Sequence, residues 1–402
     1  MTRPALLGGQ PTFPDGLPFF RPATPSLDRV QARLAPSYDR GMLTNGPLVR
    51  QFEAEAAARL GVPHVVAVSS CTAGLMLVLQ ALSRPGTAVV MPSFTFSATA
   101  HAARWAGAVP RFAECDPATC QLDVADAATR LDGASVLVGT HVFGSPCTPE
   151  AVEELGRSAG IPVLFDAAHG FGALRDGRPL GSFGAAEVFS LSPTKPMTSG
   201  EGGLVAIRDD DLAERVRLGV DYGNPGDYDT LFAGLNARMS ELHAAVGLES
   251  LVDLDAHLAV RRELAARYTA ALGDVPGITP QQVDPRDAST YKDFTVIVDE
   301  DVFGLDRDAV AAGLKAEGAD TRPYFYPPVH RQQAYADLDT PELPVTDQVA
   351  GRVISLPLWR DMPDDAVDAV VAALVRLGAH ADAVAAALGT PSAQGVDACV
   401  SS

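Results

Sequence analysis

Phe189-Ser190-Leu191-Ser192-Pro193-Thr194-Lys195, followed by Ser199-Gly200-Glu201-Gly202-Gly203, is the stretch on which the reading of this chain turns. An apolar strand stops at small hydroxyl residues and Pro193, presents one lysine on a loop, and then meets glycines that let another backbone pass close by. A loop lysine taken alone is ordinary solvated surface. In this setting Lys195 reads as a buried amine, and burial beside a ligand lowers an amine's pKa and frees it to condense with an aldehyde.

Three further stretches carry chemistry. Val163-Leu164-Phe165-Asp166-Ala167-Ala168-His169 is a hydrophobic strand ending in a carboxylate. Ligands of open α/β sheets sit at the carboxyl ends of strands, where an aspartate can pair with a protonated pyridine nitrogen. Capping the next turn is the equally common use of such an aspartate. Ser69-Ser70-Cys71-Thr72-Ala73 lies between a strand and a helix, so its backbone N–H groups and hydroxyls form either an anion site or a simple cap. Pro92-Ser93-Phe94-Thr95-Phe96-Ser97-Ala98-Thr99 follows another strand, and an aromatic there can lie flat on a ligand ring. Phe94 reads as core.

Around these stretches short β-branched runs alternate with amphipathic patterns, the signature of βαβ units and a mostly parallel sheet. Strands are expected at 64–69, 88–91, 109–112, 135–141, 162–165, 187–191 and 204–207. Helices are expected at 48–60, 72–82, 98–106, 149–159 and 211–220, and a long one from 240 to 272 bridges to a second domain. That domain reads as α+β, with elements at 294–298, 307–317, 353–356 and 364–377. The division of the chain is therefore an N-terminal segment packing on the small domain (1–44), a large ligand-binding domain (45–250), a small C-terminal domain (251–380) and a flexible tail rich in alanine, glycine and serine (381–402).

Bulk properties narrow the function. The chain has 402 residues, 47% of them hydrophobic, so it can bury a sizeable core. A net charge of -19 argues against a nucleic-acid partner. No apolar run reaches membrane-spanning length, and the start lacks the pattern of a signal peptide, which reads as a cytoplasmic protein. The cysteines at 71, 115, 120, 147 and 399 show no metal-ligand spacing, so neither a disulfide framework nor a metal site is expected.

Read in order, these stretches resemble the DegT family of sugar aminotransferases, which depend on pyridoxal 5'-phosphate (PLP). The resemblance runs from Leu43-Thr44-Asn45-Gly46-Pro47 through Gly234-Leu235-Asn236-Ala237-Arg238-Met239-Ser240-Glu241 to Pro327-Pro328-Val329-His330-Arg331 and Ser355-Leu356-Pro357-Leu358. It implies the α/β PLP-dependent transferase fold type I, with a mostly parallel seven-stranded sheet and a smaller α+β domain. It further implies that Lys195 forms the Schiff base to PLP and that Asp166 faces the pyridine nitrogen. By the same resemblance Phe96 stacks on the ring, His169 sits near its phenolic oxygen, and Thr72, Ala73 and Ser190 contact the phosphate. Asn236 reaches the phosphate of the neighbouring subunit, so a homodimer with shared sites is expected. Two departures are Cys71, where many relatives have glycine, and His169, where glutamine is frequent.

The activity implied is transfer of an amino group from glutamate or glutamine to a nucleotide-linked keto sugar, a dTDP-4-keto-deoxysugar in secondary-metabolite (antibiotic) amino sugar biosynthesis. A 3-keto sugar nucleotide or a keto-cyclitol is the alternative acceptor. In the sugar dehydratases of the same fold a histidine replaces the Schiff-base lysine, and Lys195 is present. A non-catalytic PLP-binding regulator is the rival of another class, against which intact Asp166 and Lys195 speak. A nicotinamide enzyme is disfavoured because no G-x-G-x-x-G follows a strand. Tyr324-Phe325-Tyr326-Pro327-Pro328 is expected to shape the acceptor pocket, and Arg322 and Arg331 to touch its diphosphate.

Overall fold

A computed structural model of the chain describes residues 2–389. Its centre is a seven-stranded sheet in the order His64–Val68, Gly203–Ile207, Ala186–Ser190, Val163–Asp166, Ala134–Thr140, Ala88–Pro92, Val109–Ala113. Gly203–Ile207 runs antiparallel to both neighbours and the others are parallel, so the expected mostly parallel sheet is observed, each strand within one residue of its expected bounds.

Strands buried on both faces explain the continuous apolar runs. Val65 and Ala67 point into one core while Val66 and Val68 point into the other. The same alternation separates Phe165 from Leu164, and Phe189 from Val188. Helices cover both faces: Pro47–Leu60 and the start of Glu241–Leu272 on one, Cys71–Leu82 and Asp210–Val220 on the other. Pro47–Leu60 begins at a proline, and its orphan N–H groups are met from far along the chain. Buried Glu241 accepts from Gly46 N at 3.0 Å, Leu48 N at 3.0 Å and Val49 N at 2.9 Å.

Past the long helix a three-stranded antiparallel sheet, in the order Ile278–Pro280, Phe294–Val298, Val353–Leu356, packs against Arg307–Ala316 and Ala366–Ala379. The N-terminal segment joins this unit: Glu317 accepts from Ala5 N and Thr12 N, each at 2.9 Å, and Trp359 donates to Pro18 O at 3.0 Å. The helix Leu27–Tyr38, not foreseen from the sequence, instead lies along the long helix, where Arg29 pairs with Glu249 and Asp253.

One expectation is corrected. Ala381–Leu388, read as the start of a flexible tail, is a helix that buries Val384 in the core of the second unit. Alanine is the strongest helix former, so a run of it beside one anchoring valine favours order. The remainder of the expected tail, 390–402, lies outside the described residues. Among the described residues no single helix is long and apolar enough to cross a membrane.

Candidate active site

The parallel strands deliver their carboxyl ends to one cavity of about 310 Å³. Asp166 ends one strand and Ser190 ends its neighbour. Ser70, Cys71 and Thr72 stand at the start of the helix Cys71–Leu82, and Phe96 immediately precedes the helix Ser97–Trp105. All of these, with His169 and Lys195, line the cavity. Thus Lys195, Asp166, Thr72, Phe96, His169 and Ser190, scattered over more than a hundred positions in sequence, meet in one place.

Asp166 is buried, its Oδ2 accepting from the Thr99 hydroxyl at 2.6 Å and its Oδ1 from Ala168 N at 3.1 Å. Burial raises its pKa, opposed by the Thr99 hydroxyl, the Ala168 N–H and the charge of Lys195. A cationic partner in the cavity would offset that cost.

Lys195 is half-buried as a residue and lines the cavity. Burial, then the like charge of Lys292, lowers its pKa to about 8, with Asp293, Cys71 and Asp166 opposing. The free amine needed for condensation with a carbonyl therefore exists near neutral pH.

His169 accepts a hydrogen bond at Nδ1 from Phe143 N at 3.1 Å. Its proton must then sit on Nε2, which makes the ring a donor toward the cavity. Burial and the charges of Lys195 and Lys292 push its pKa well below the ordinary value, so it is neutral.

The start of Cys71–Leu82 supplies the anion end. Its positive dipole end faces the cavity through Ser70, Cys71 and Thr72. Ser70 Oγ accepts from Ala73 N at 3.1 Å, so that N–H already has a partner, and Ala73 is not among the lining residues. The Cys71 thiol turns to the sheet, 3.6 Å from Val188 O. A glycine at 203 permits this loop: a Cβ there would lie 2.7 Å from Cys71 N and 2.9 Å from Phe189 O. The close backbone approach inferred from the glycine-rich stretch is thereby explained.

Phe94 is fully buried, as read from sequence, whereas Phe96 lines the cavity and is 60% exposed. Phe325 lines the cavity between them, 6.2 Å from Phe96, 5.7 Å from Phe94 and 6.4 Å from the His169 ring. Tyr324 lines it as well, but Arg322 and Arg331 do not. Arg331 is committed to Asp347 and Glu342 on the surface. Asn236 is exposed and does not reach the cavity of its own chain.

Sequence reading missed Lys292, Thr99 and Glu201. Lys292 is buried in the cavity wall with Nζ 2.7 Å from Asp293 Oδ1, and Glu201 lines the same space. Tyr291-Lys292-Asp293 precedes an apolar strand, and only the unusual charge pair abutting Phe294–Val298 could have drawn notice.

A buried carboxylate, an amine of lowered pKa, a helix N-terminus and an exposed aromatic match, in turn, the ring nitrogen, aldehyde, phosphate and ring of PLP, so the residues present fit that group. Fold and site together define an enzyme of fold type I that works with PLP.

Comparison with known proteins gives the family. The model of the DegT/DnrJ/EryC1/StrS aminotransferase family matches residues 27–375, and the chain belongs to that family. The spore coat polysaccharide biosynthesis protein SpsC of Bacillus subtilis (strain 168) is 34% identical over 356 residues, covering 84% of this chain and 91% of SpsC. The structure is similar to DesI, solved in the presence of its TDP-sugar product, with a TM-score of 0.89, 38% identity and coverage of 95% of this chain and 98% of DesI. It is also similar to S. venezuelae DesV, solved in complex with a ketimine intermediate, with a TM-score of 0.83, 30% identity and coverage of 90% and 98%. The protein is a PLP-dependent sugar aminotransferase.

Proposed function

We propose that this enzyme moves an amino group from glutamate or glutamine to the keto carbon of a nucleotide-linked sugar, a dTDP-4-keto-deoxysugar, in amino sugar biosynthesis of secondary metabolism. The observation that carries the reading is the meeting of Lys195 and Asp166 in one cavity behind an open aromatic mouth. The likeness to DesI, solved with a TDP-sugar product, supports the class of acceptor. We place the enzyme in the cytoplasm as a homodimer in which Asn236 serves the phosphate of the partner's site, consistent with its exposure outside its own cavity.

When bound, PLP supplies an aldehyde that takes up amines and a ring that stores the electron pair left by a departing proton. Lys195 would hold the cofactor through its aldehyde, its amine being free near neutral pH. Its Nζ would be the group that takes a proton from the donor's carbon and gives one to the sugar's carbon. Asp166 would pair with the pyridine nitrogen, and His169, whose Nδ1 is taken by Phe143 N, would donate from Nε2 to the phenolic oxygen. The first turn of Cys71–Leu82 and the Thr72 and Ser190 hydroxyls hold the phosphate. Phe96 would stack on the ring and orient it.

The test converts the enzyme to its amine form and titrates it with 4-keto and 3-keto nucleotide sugars and a keto-cyclitol. Restoration of the aldehyde spectrum by the 4-keto nucleotide sugar alone is expected. Restoration by the cyclitol alone overturns the choice of acceptor.

A further inference from the structure

Behind Lys195 lies a second, smaller cavity of about 20 Å³ that shares Thr194, Lys195 and Lys292 with the cofactor cavity. Arg21, Arg261, Arg360 and His257 also face it, and Asp293 is its carboxylate. Three arginines and Lys292 gather here in a chain of net charge -19, so composition does not account for them, although Arg360 is also paired with Asp361. Such a wall stabilises an anion.

Hydrogen bonding within the wall shows which groups are committed. Arg261 is spent on the main chain, donating to the carbonyls of Thr290, Tyr291 and Lys292, which fixes the segment that aims Lys292 into the site. Arg360 Nη1 lies 2.6 Å from His257 Nε2. A guanidinium only donates, so Nε2 accepts and the His257 proton sits on Nδ1. That Nδ1 is buried and, among the described residues, has no hydrogen-bond partner. Lys292 has three donors and gives one to Asp293 Oδ1 at 2.7 Å, while Asp293 Oδ2 is unpartnered among the described residues. His257 Nδ1 is thus a buried donor without an acceptor, which is costly, and Lys292 keeps donors beyond the one given to Asp293; both point to an acceptor that arrives with the substrate.

We propose that Lys292, backed by the small basic cavity, anchors a carboxylate of the amino donor. The inference rests on Lys195 as the point of amino transfer and on an amino acid as donor. An amino acid carries its amine and α-carboxylate on one carbon, so the anchor must stand beside the lysine that yields the cofactor, where Lys292 stands. The second cavity has room for little more than one water-sized group, such as one carboxylate oxygen, and not for a sugar or a diphosphate. Transfer to the sugar needs no carboxylate, so Lys292 serves one half-reaction only.

The experiment compares holoenzymes of wild type, Lys292→Met and Lys292→Arg in separate half-reactions followed by absorbance: the aldehyde form with glutamate, and the aldehyde form with the amino sugar nucleotide in the reverse direction. Lys292→Met should weaken the apparent affinity for glutamate about 100-fold, as for loss of one partner of a buried charge pair, and should weaken that for the amino sugar at least tenfold less, the loss common to both arms coming from the changed charge beside Lys195. Lys292→Arg should recover most of the loss. In the wild type, glutarate, which has carboxylates and no amine, should compete with glutamate, which keeps the test valid if a variant folds poorly. Equal losses in both half-reactions, a loss confined to the amino sugar, or no competition by glutarate would overturn the proposal. Failure of every nucleotide sugar as acceptor would overturn the acceptor reading alone, because the glutamate arm reports independently.

Discussion

The Thr99 hydroxyl donates to Oδ2 of Asp166 at 2.6 Å, and it closes a buried chain of hydroxyls in which Thr95 Oγ1 lies 3.0 Å from Thr99 Oγ1 and 3.4 Å from Thr140 Oγ1. Each threonine has a single proton to give. Since Thr99 gives its proton to the carboxylate, it must accept from Thr95, so the donors of the chain are ordered toward Asp166 and favour its charged form.

Thr99→Val should therefore raise the Asp166 pKa further above its ordinary value and loosen the grip on the ring-nitrogen proton. Loss of one hydrogen bond to a buried charge, about 1.5 kcal/mol, corresponds to roughly tenfold in rate. Single-turnover kinetics with glutamate measure it. An unchanged rate would show that the hydroxyl chain is only packing.

Lys195→Ala should abolish both turnover and the covalent adduct that borohydride traps on the wild-type holoenzyme, with mass spectrometry locating that adduct on Lys195. A variant that kept both a reducible adduct and turnover would refute the assignment.

Burial of the Lys195 amine also makes the cofactor-free protein pH-sensitive. Its folded pKa of about 8 lies below the ordinary 10.5, so between those values the unfolded chain holds a proton that the folded chain has released. Stability therefore rises with pH across that window, and below it the cost of the charged lysine is felt in full. Cofactor-free Lys195→Met should be more stable than wild type at pH 7, by at most about 3 kcal/mol and less where water in the open cavity screens the charge. The difference should vanish above about pH 10.5. Thermal melts of the two apoproteins at pH 7 and 10 decide it, and a gap that widens with pH would contradict the burial.

His169 is neutral and carries its proton on Nε2, so the enzyme should show no histidine limb from this residue between pH 6 and 8. His169→Gln keeps a donor and should retain activity within about threefold, whereas His169→Phe, which removes the donor proposed for the phenolic oxygen, should lose about tenfold. Rate profiles of the two variants against pH separate donation from titration.

Gly203→Ala should displace the phosphate loop, because the added methyl meets the main chain of Cys71 and Phe189 rather than a yielding side chain. A stability loss of about 1–3 kcal/mol and weaker cofactor retention are expected. Equilibrium dialysis of PLP, read beside a thermal melt, distinguishes a damaged loop from global unfolding.

Mixing inactive Lys195→Ala with inactive Asn236→Ala should restore about a quarter of wild-type activity if sites are shared across a two-fold interface, since half the dimers are mixed and each of those has one intact site. No recovery after subunit exchange would remove Asn236 from the partner's site.

Much of the site was legible in the chain because its parts sit at strand ends, where a break in an apolar run is visible. Asp166, Ser190 and Lys195 each follow such a break, and Thr72 opens a helix directly after another. Lys292 has no such mark: its burial depends on Arg261, 31 residues earlier, holding the Lys292 carbonyl, a relation with no signature in local pattern. The Ala381–Leu388 helix was misread for a related reason, since alanine content alone does not reveal that Val384 finds a core.

The sequence by itself determined the seven strands, their order along the chain and the lysine and aspartate of the site, because a strand buried on both faces must be apolar throughout and must end where polar chemistry begins. Only the tertiary structure decided which charges face one another: that Thr99 supports Asp166, that Lys292 depresses Lys195, and that His257 is left with an unanswered proton. Electrostatic and hydrogen-bond effects depend on distance and burial in space, and neither is written in the spacing of residues along a chain.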